Sequence, residues 1–232
     1  MKLFWFKKAI VILIVIYIAG CGSSDDTTSG NMYQRMNPKG EVINEIPAPS
    51  TIRNHELVKN EFDYSCGASA LATILKYEYN EEITEEEVVN GLLTHGNREQ
   101  IEERRAFSLL DMKKYLEATG YTGTGYKLDG QISFEQLHKD GFDSIGNVSL
   151  IPVQLDEYRH FVVFRAYDNR YVYLGDPYYG NICLTIDDFS QVIIDNIFFV
   201  VGKQKSSSKN RWKENETLMN NIDFNYDFSI EY

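Results

Sequence analysis

The spacing of apolar residues changes midway along this chain of 232 residues. In the first half, apolar side chains recur at the interval of an amphipathic helix. In the second half, short β-branched and aromatic runs are separated by turn signals, which is the pattern of strands. Helices followed by strands predict an α+β fold, with N-terminal helices packed on one face of a C-terminal antiparallel sheet. The predicted strands cover residues 148–155, 160–166, 171–174, 182–185 and 196–201.

Local signals mark where the helices begin. A run of small, helix-favouring residues predicts one helix over residues 66–77. Two capping boxes begin the next predicted helices, Thr84 with Glu87 and Ser108 with Asp111. In a capping box two side chains satisfy backbone N–H groups that have no partner inside the helix. The first half of the chain is therefore predicted to be mainly helical.

Cys66 lies in the first turn of the first predicted helix, where Ser65 or Asp63 can cap the backbone N–H groups. The remaining N–H groups and the positive end of the helix dipole favour a thiolate over a thiol there. Far downstream, His160 opens an apolar strand and Asp176 ends another. Cys, His and Asp in that order are the parts of a cysteine-nucleophile triad.

Four short motifs occur in order along the chain: YSCGA at residues 64–68, FSLLDM at 107–112, HFVV at 160–163 and GDP at 175–177. Together they resemble the C39-type peptidases, papain-like cysteine proteases best known as the leader-cleaving domains of bacteriocin exporters. The free-standing exported form, as found with bacterial functional-amyloid secretion systems, is the more similar. The resemblance implies a papain-like cysteine peptidase fold. It assigns Cys66 as the nucleophile, His160 as the general base, and Asp176 as the group that orients the imidazole.

Position 60 departs from the family pattern. The family carries Gln six residues before the nucleophile, and its amide helps to bind the oxyanion; this chain carries Asn60. Asparagine has one methylene fewer, so its reach is shorter by about 1.5 Å. Losing an oxyanion-hole donor typically costs about 10²–10³ in kcat. Asn60 is assigned to the oxyanion hole, with three alternatives open: a compensating backbone shift, reliance on the Cys66 N–H, or peptide binding with little cleavage.

The motifs predict an envelope-located cysteine endopeptidase that cleaves an exported polypeptide. Family behaviour implies an extended substrate cut after small residues, often Gly-Gly. The alternative is a non-catalytic peptide-binding adaptor in a secretion system, which the Asn60 departure favours. A third class is an amide- or acyl-transfer enzyme of the same fold acting on cell-wall peptides. No cofactor is expected for any of these reactions.

The N-terminus has the pattern of a bacterial lipoprotein leader. Lys2, Lys7 and Lys8 precede an apolar stretch over residues 9–18, and Cys21 follows in the lipobox-like sequence IAGC. A transmembrane anchor is the alternative, but the apolar stretch is shorter than the roughly 20 residues that a span needs. We therefore expect lipidation at Cys21 and attachment to a membrane. The favoured location is the outer membrane, with the protein facing the periplasm.

Composition divides the chain into four parts. Residues 1–20 are the predicted signal peptide, and residues 21–50 form a polar, predicted flexible tether. The peptidase domain is expected over residues 51–202. Residues 203–232 follow as a basic linker and a tail. Apolar and polar residues alternate strictly in the tail, which predicts an extra strand. That strand could add to the domain's own sheet, bind a partner or stay disordered.

Cys183 offers a different explanation of Cys66. In an oxidising compartment the two cysteines could form a disulfide. Cys183 lies in a strand-like run where a small buried hydrophobic residue suffices. The interpretation favoured is an unpaired, buried Cys183 and a reactive Cys66.

The remaining features exclude other kinds of site. The net charge of −11 opposes binding to nucleic acid. His55, His95 and His138 have no Cys or carboxylate at ligand spacing, so no metal site is expected. The acidic run over residues 81–87 is interpreted as a solvated helix start.

Overall fold

The computed structural model describes residues 32–47, 56–139, 141–142, 148–203 and 220–221. Over these ranges the chain forms an α+β fold, as the change of apolar spacing predicted. The helices are α1 (Cys66–Tyr77), α2 (Glu85–His95), α3 (Arg98–Arg104), α4 (Leu109–Ala118), α5 (Phe134–Lys139) and α6 (Ile186–Val192). The strands are β1 (Met32–Met36), β2 (Val42–Pro47), β3 (Tyr121–Lys127), β4 (Ser149–Leu155), β5 (Tyr158–Tyr167), β6 (Tyr171–Asp176), β7 (Gly180–Thr185), β8 (Ile197–Lys203) and β9 (Asn220–Asn221).

The described strands form one sheet in the order β2-β1-β7-β6-β5-β4-β8-β3-β9. Every neighbouring pair is antiparallel except β1 and β7, which run parallel. The centre of the sheet is the meander β4-β5-β6-β7, whose strands the sequence predicted to within a few residues. The link over residues 168–170 joins β5 to β6, as the turn residues there indicated.

The helix starts agree with the capping signals. Both capping boxes are present: Thr84 with Glu87 begins α2, and Ser108 with Asp111 begins α4. Each box pairs two otherwise unsatisfied groups through neighbouring residues, so the sequence alone determines it. The boundaries of α1 are also those predicted.

Helices cover both faces of the sheet, whereas the sequence predicted one covered face. In β5, Phe161 and Val163 pack against α1, α2 and α4, while Val162 and Phe164 face the side that α5 and α6 cover. All four side chains are buried. A strand that is buried on both faces has a continuous run of apolar residues instead of alternating apolar and polar ones. The apolar run in β5 is of this kind and agrees with helices on both faces.

Helix α1 packs closely against both α4 and β5 at Gly67. A Cβ added at Gly67 would stand 2.4 Å from Met112 Cε and 3.1 Å from Phe161 Cδ2. Glycine therefore permits this close approach. Because Cys66 precedes Gly67 and His160 precedes Phe161, the contact brings the start of α1 beside the strand that carries His160.

The segment predicted as a flexible tether is ordered in its second part. Strand β1 pairs with β7, and β1 and β2 form a hairpin at the edge of the sheet. Tyr33 and Met36 are buried, and the Tyr33 ring lies 5.2 Å edge-on from the Tyr173 ring. The prediction of a flexible tether therefore does not hold over residues 32–47. The polar composition of this segment does not predict the burial of Tyr33 and Met36, because both side chains pack against residues distant in sequence.

Several predictions fall outside the described residues, among them the signal peptide, Cys21, and the alternating tail over residues 224–232. Near that tail, Asn220 and Asn221 pair antiparallel with Tyr126 and Lys127 of β3. Among the helices that the structure describes, none is long and apolar enough to span a bilayer.

Candidate active site

Cys66 is the first residue of α1 and lies at the floor of a surface cleft. Residues 66–75 are all buried, so the helix that carries the thiol is a core element and a rigid support. Only 6% of Cys66 is exposed, on the side that faces the cleft. The thiol is thus held at the start of a fixed helix and reached through the cleft.

The capping predicted for this helix is absent. Ser65 occupies the N-cap position, but its side chain makes no capping hydrogen bond. Its hydroxyl instead lies against Glu85 Oε1, Asn60 Oδ1 and the Phe62 carbonyl. A side chain engaged by neighbours outside the helix cannot turn toward the helix N–H groups. The sequence prediction of a Ser65 cap was therefore wrong, and the Asp63 side chain is exposed.

His160 and Asp176 form a buried pair on adjacent strands. His160 Nε2 lies 2.6 Å from Asp176 Oδ2, and the two side chains are 6% and 0% exposed. The other carboxylate oxygen accepts hydrogen bonds from the N–H groups of Tyr178, at 2.8 Å, and Tyr179, at 2.9 Å. These bonds fix the carboxylate, which in turn fixes the imidazole ring. With Nε2 held by Asp176, Nδ1 is the ring nitrogen left for proton exchange.

The cleft that contains Cys66 and His160 has a volume of about 250 Å³. Its other lining residues are Asn60, Phe62, Asp63, Tyr64, Tyr158, Tyr178 and Tyr179. Phe62, Tyr64, Tyr158 and Tyr178 are themselves exposed, and they account for most of the large exposed hydrophobic residues in the described chain. An exposed apolar rim around a cleft is typical of a surface that binds another molecule.

Tyr179 closes the side of the cleft nearest His160, with the two ring centres 6.2 Å apart. Burial raises the pKa of Tyr179, and the negative charges of Asp176 and Asp156 raise it further. Its hydroxyl therefore stays protonated at neutral pH and is available as a hydrogen-bond donor.

Asn60 lines the same cleft and is tied to both sides of it. Its backbone N–H donates to the Pro177 carbonyl at 3.1 Å, directly after Asp176. Its side-chain Nδ2 donates one hydrogen to the Phe62 carbonyl at 2.9 Å. An amide nitrogen carries two hydrogens, so a second one is left for a ligand. The oxygen of the amide faces away from that role, toward the hydroxyls of Ser65 and Ser69.

A polar stripe on α1 holds the segment that leads into the site. Ser65, Ser69 and Thr73 are four residues apart, so they share one face of the helix. Thr73 Oγ1 accepts from the Val58 N–H at 2.9 Å, while the two serines contact Asn60 Oδ1. The chain from residue 58 to residue 62 therefore lies along α1 in a fixed register.

Glu85 completes this polar cluster, a place that the sequence patterns did not predict. The acidic run over residues 81–87 was interpreted as solvated, yet Glu85 is buried. Its Oε1 accepts from Ser69 Oγ at 2.6 Å and from Ser65 Oγ, and its Oε2 accepts from the Glu61 N–H at 2.9 Å. The spacing of Ser65 and Ser69 was the available signal, because two polar residues on one face of a buried helix require a polar partner.

Cys183 is remote from the site. It lies in β7 in a small cluster with Tyr33 and Tyr173, and neither Cys66 nor Cys183 forms a disulfide. The disulfide alternative was therefore wrong. Burial raises the pKa of Cys183 to about 12, so this thiol stays protonated at neutral pH.

The other histidines take no part in the cleft. The His95 ring lies 6.2 Å from the Tyr115 ring, the His138 ring stacks 6.1 Å from Phe134, and His55 is outside the described residues. Within the ranges that the structure describes, His, Cys, Asp and Glu form no group of three or more arranged to hold a metal ion.

The model of the Peptidase C39 family matches residues 54–205, well over half of the chain. The chain belongs to the C39 peptidase family. This C39 peptidase is a cysteine hydrolase, and the matched region contains Asn60, Cys66, Glu85, His160 and Asp176.

Two relatives of this C39 peptidase are similar over most of their length. It is 35% identical over 179 residues to the probable functional amyloid protease FapD of Pseudomonas fluorescens, covering 75% of this chain and 74% of the relative. It is 33% identical over 164 residues to the protein of the same name from Pseudomonas aeruginosa, a match that covers 71% of this chain and 68% of the relative.

A solved structure has the same fold. The peptidase domain of Streptococcus ComA, a bi-functional ABC transporter involved in a quorum sensing pathway, superposes with a TM-score of 0.51 at 15% identity. The match covers 65% of this chain and all of that domain. At this identity the likeness concerns the fold alone, and it agrees with the papain-like architecture that the motifs implied.

Proposed function

We propose that this C39 peptidase is an endopeptidase of the cell envelope that cleaves an exported polypeptide through Cys66, His160 and Asp176. One observation carries the proposal. The buried His160–Asp176 pair, with Nε2 and Oδ2 at 2.6 Å, opens onto the same cleft as Cys66 at the start of α1. A thiol, an imidazole and a carboxylate that holds the imidazole are the groups that thiol-based hydrolysis needs.

The proposed reaction has two steps. His160 Nδ1 takes the thiol proton as Cys66 Sγ attacks the scissile carbonyl, and the imidazolium then gives that proton to the leaving amine. The N-terminal half of the substrate, which carries the scissile carbonyl, remains on Sγ as a thioester, and the C-terminal half leaves as the free amine. In the second step, His160 takes a proton from water, the resulting hydroxide attacks the thioester, and the proton returns to the thiolate. The Asp176 carboxylate stabilises the imidazolium in both steps.

Asn60 and the Cys66 backbone N–H are the proposed oxyanion donors. The second hydrogen on Asn60 Nδ2 supports the side-chain contribution, because the first is held by the Phe62 carbonyl. The Cys66 N–H is at the first turn of α1, at the positive end of the helix dipole, which favours a negative charge there. Donors fixed before the reaction stabilise the developing negative charge most effectively.

The proposed substrate is an extended, exported polypeptide with small residues at the scissile bond. The exposed aromatic residues at the rim of the cleft, Tyr158 and Tyr178 above all, support the binding of a peptide there. Because Cys66 is 94% covered, a substrate with Gly-Gly before the scissile bond would let the backbone approach the thiol most closely. The relatives are named functional amyloid proteases, so we propose an amyloid-forming exported protein as the substrate class.

The proposed location is the envelope, with a lipid on Cys21 and the domain facing the periplasm. The basic, apolar and lipobox-like order of residues 1–21 supports this. Cys21→Ser is the direct test, since serine cannot be lipidated. We expect the wild-type protein in the membrane fraction and the variant in the soluble fraction or as an uncleaved precursor. Equal distribution and equal intact mass of the two proteins would contradict the anchor.

The proposed activity is tested with the purified full-length protein and a pair of peptides. One peptide carries Gly-Gly and the other Val-Val at the same position in an otherwise identical sequence. We expect cleavage of the first peptide by the wild type and by an Asp187→Asn control, and none by Cys66→Ala. Binding of both peptides without new termini would favour the adaptor function, and a conjugate in place of new termini would favour acyl transfer.

A further inference from the structure

Glu85 is a buried carboxylate behind the segment that leads into the active site. It is 5% exposed and does not line the cleft. In the part of the chain that the structure describes, its hydrogen bonds come from Ser65, Ser69 and the Glu61 N–H, and it forms no ion pair with Lys, Arg or His. A carboxylate buried without a cation costs free energy that its hydrogen bonds must offset. Its place in the fold therefore requires an explanation beyond packing.

The hydrogen bonds of Glu85 end on residues that flank the reacting groups. Ser65 directly precedes Cys66, and Ser69 lies one turn further along α1. Glu61 directly follows Asn60, so the bond from its N–H fixes the backbone next to the oxyanion candidate. One side chain thus joins α2 to both the nucleophile helix and the Asn60 segment.

The orientation of the Asn60 amide depends on the same cluster. The hydroxyls of Ser65 and Ser69 each carry one hydrogen, and two side-chain oxygens accept from them: Glu85 Oε1 and Asn60 Oδ1. The Phe62 and Ser65 carbonyls also lie within hydrogen-bond distance of these hydroxyls, so the two hydrogens are shared among four acceptors. This arrangement keeps Oδ1 of Asn60 on the serines and Nδ2 on the opposite side, where its free hydrogen belongs if it is to bind an oxyanion.

We propose that Glu85 is a positioning residue for catalysis, which holds Asn60 and the first turn of α1 in register through Ser65 and Ser69. The inference rests on the proposed peptidase function and concerns a residue that does not touch the substrate. It also accounts for a shorter asparagine at position 60. A short side chain can serve only if the backbone and the amide are held in one place, and Glu85 holds both.

The test compares three substitutions at neighbouring positions in the full-length protein. Glu85→Ala removes all three hydrogen bonds. Glu85→Gln keeps them in a different pattern, because its Nε2 can donate to the serine oxygens while its Oε1 accepts from the Glu61 N–H. Glu86→Ala is the matched control, since Glu86 is exposed in the same first turn of α2.

We expect Glu85→Ala to lower kcat by about tenfold, less than the 10²–10³ that outright loss of an oxyanion donor costs, with KM nearly unchanged. Glu85→Gln should recover most of that loss, and Glu86→Ala should match the wild type. A purely structural role would reduce the folded fraction and leave the kcat of the folded enzyme unchanged. Unchanged kcat in Glu85→Ala, or a Gln variant no better than Ala, would overturn the proposal.

Two further measurements keep the test decisive. If Glu85→Ala does not fold, Ser69→Ala removes one hydroxyl shared by Glu85 and Asn60, and an unchanged kcat in that variant would overturn the proposal. The rate of Cys66 alkylation by iodoacetamide needs no substrate. We expect it to fall in Glu85→Ala as the thiol loses its alignment with His160, and an equal or faster rate would overturn the proposal. If the wild type and Cys66→Ala both fail to cleave, the peptidase function fails instead, and the alkylation result still stands on its own.

Discussion

At the scale of the residue, the two described cysteines differ in environment. Cys66 opens onto the cleft with His160, whereas Cys183 is buried in β7, where burial raises its pKa to about 12. Only a thiolate is alkylated rapidly. Because neutral pH lies far below about 12, Cys183 stays a thiol throughout the range in which the enzyme can be assayed.

This difference predicts selective alkylation. Iodoacetamide at neutral pH should modify Cys66 in the folded protein and leave Cys183 unmodified until the protein is unfolded. The rate at Cys66 should fall in His160→Ala, because the variant lacks the imidazole that accepts the thiol proton. Peptide mapping by mass spectrometry measures both sites in one sample. Slow labelling at equal rates would contradict an activated thiol at Cys66.

Asp176 is held in place by backbone hydrogen bonds as well as by its contact with His160. Its Oδ1 already accepts two backbone N–H groups, from Tyr178 and Tyr179. In Asp176→Asn, the amide oxygen must keep those bonds, so the NH₂ group turns toward His160 Nε2. The imidazole would then carry its proton on Nδ1 and could not accept one from the thiol.

We therefore expect Asp176→Asn to lower kcat by about 10²–10⁴, the upper value being typical of an imidazole held in the wrong tautomer. The melting temperature should change little, because every hydrogen bond has a replacement. Asp187→Asn, at an exposed position in α6, is the control and should keep wild-type kcat. Full activity in Asp176→Asn would show that His160 does not depend on this carboxylate.

The site could be predicted from the sequence only where function imposes a local pattern. Cys66, His160 and Asp176 stand in recognisable motifs, and the structure brings Cys66 and His160 to one cleft and Asp176 to His160. Glu85 stands in an acidic run at the start of α2. Its burial depends on how α2 packs beside α1, a tertiary contact that neighbouring residues do not encode.

At the scale of the element, the N-terminal hairpin is the main addition to the matched C39 region. Its turn reaches the β4–β5 turn, where the Asp156 N–H donates to the Pro38 carbonyl at 3.1 Å. A Cβ added at Gly40 would lie 3.3 Å from Asp156 Cβ and 3.5 Å from the Tyr179 hydroxyl. The hairpin thus supports one wall of the cleft from outside.

Gly40→Ala tests this contact against Gly130→Ala. Both glycines have a positive φ, 75° and 79°, so both variants carry the same backbone strain of about 1–2 kcal/mol. Only the Cβ at position 40 meets other atoms. Denaturant unfolding should show that Gly40→Ala lowers the free energy of unfolding by about 1 kcal/mol more than Gly130→Ala does. Equal losses would mean that the hairpin turn does not pack against Asp156.

The elements were predictable to different degrees for a physical reason. The capping boxes at Thr84 and Ser108 and the apolar runs of β4 to β8 are local signals, and they gave the helices and strands their places. Strand β1 has no such signal, because Tyr33 and Met36 become buried only against strands far along the chain. Helix α3 is short and exposed on most sides, so the spacing of its apolar residues does not predict it either.

At the scale of the whole molecule, the fold brings a helix and two strands together at one cleft. Helix α1 contributes Cys66, strand β5 contributes His160 and the end of β6 contributes Asp176. Gly67 permits the close approach of α1 to β5, and the Asn60 N–H to Pro177 carbonyl bond ties the preceding segment to the turn after β6. The candidate active site therefore depends on the packing of the whole domain rather than on any one segment.

The proposed cleavage of an exported polypeptide by Cys66 is measured most directly in cells. Exported proteins from wild-type, Cys66→Ala and deletion strains are compared by mass spectrometry of their termini. We expect new termini on at least one exported protein in the wild type, absent from both the Cys66→Ala and the deletion strains. Identical termini in the wild type and Cys66→Ala, with export lost only in the deletion strain, would contradict the proposed cleavage.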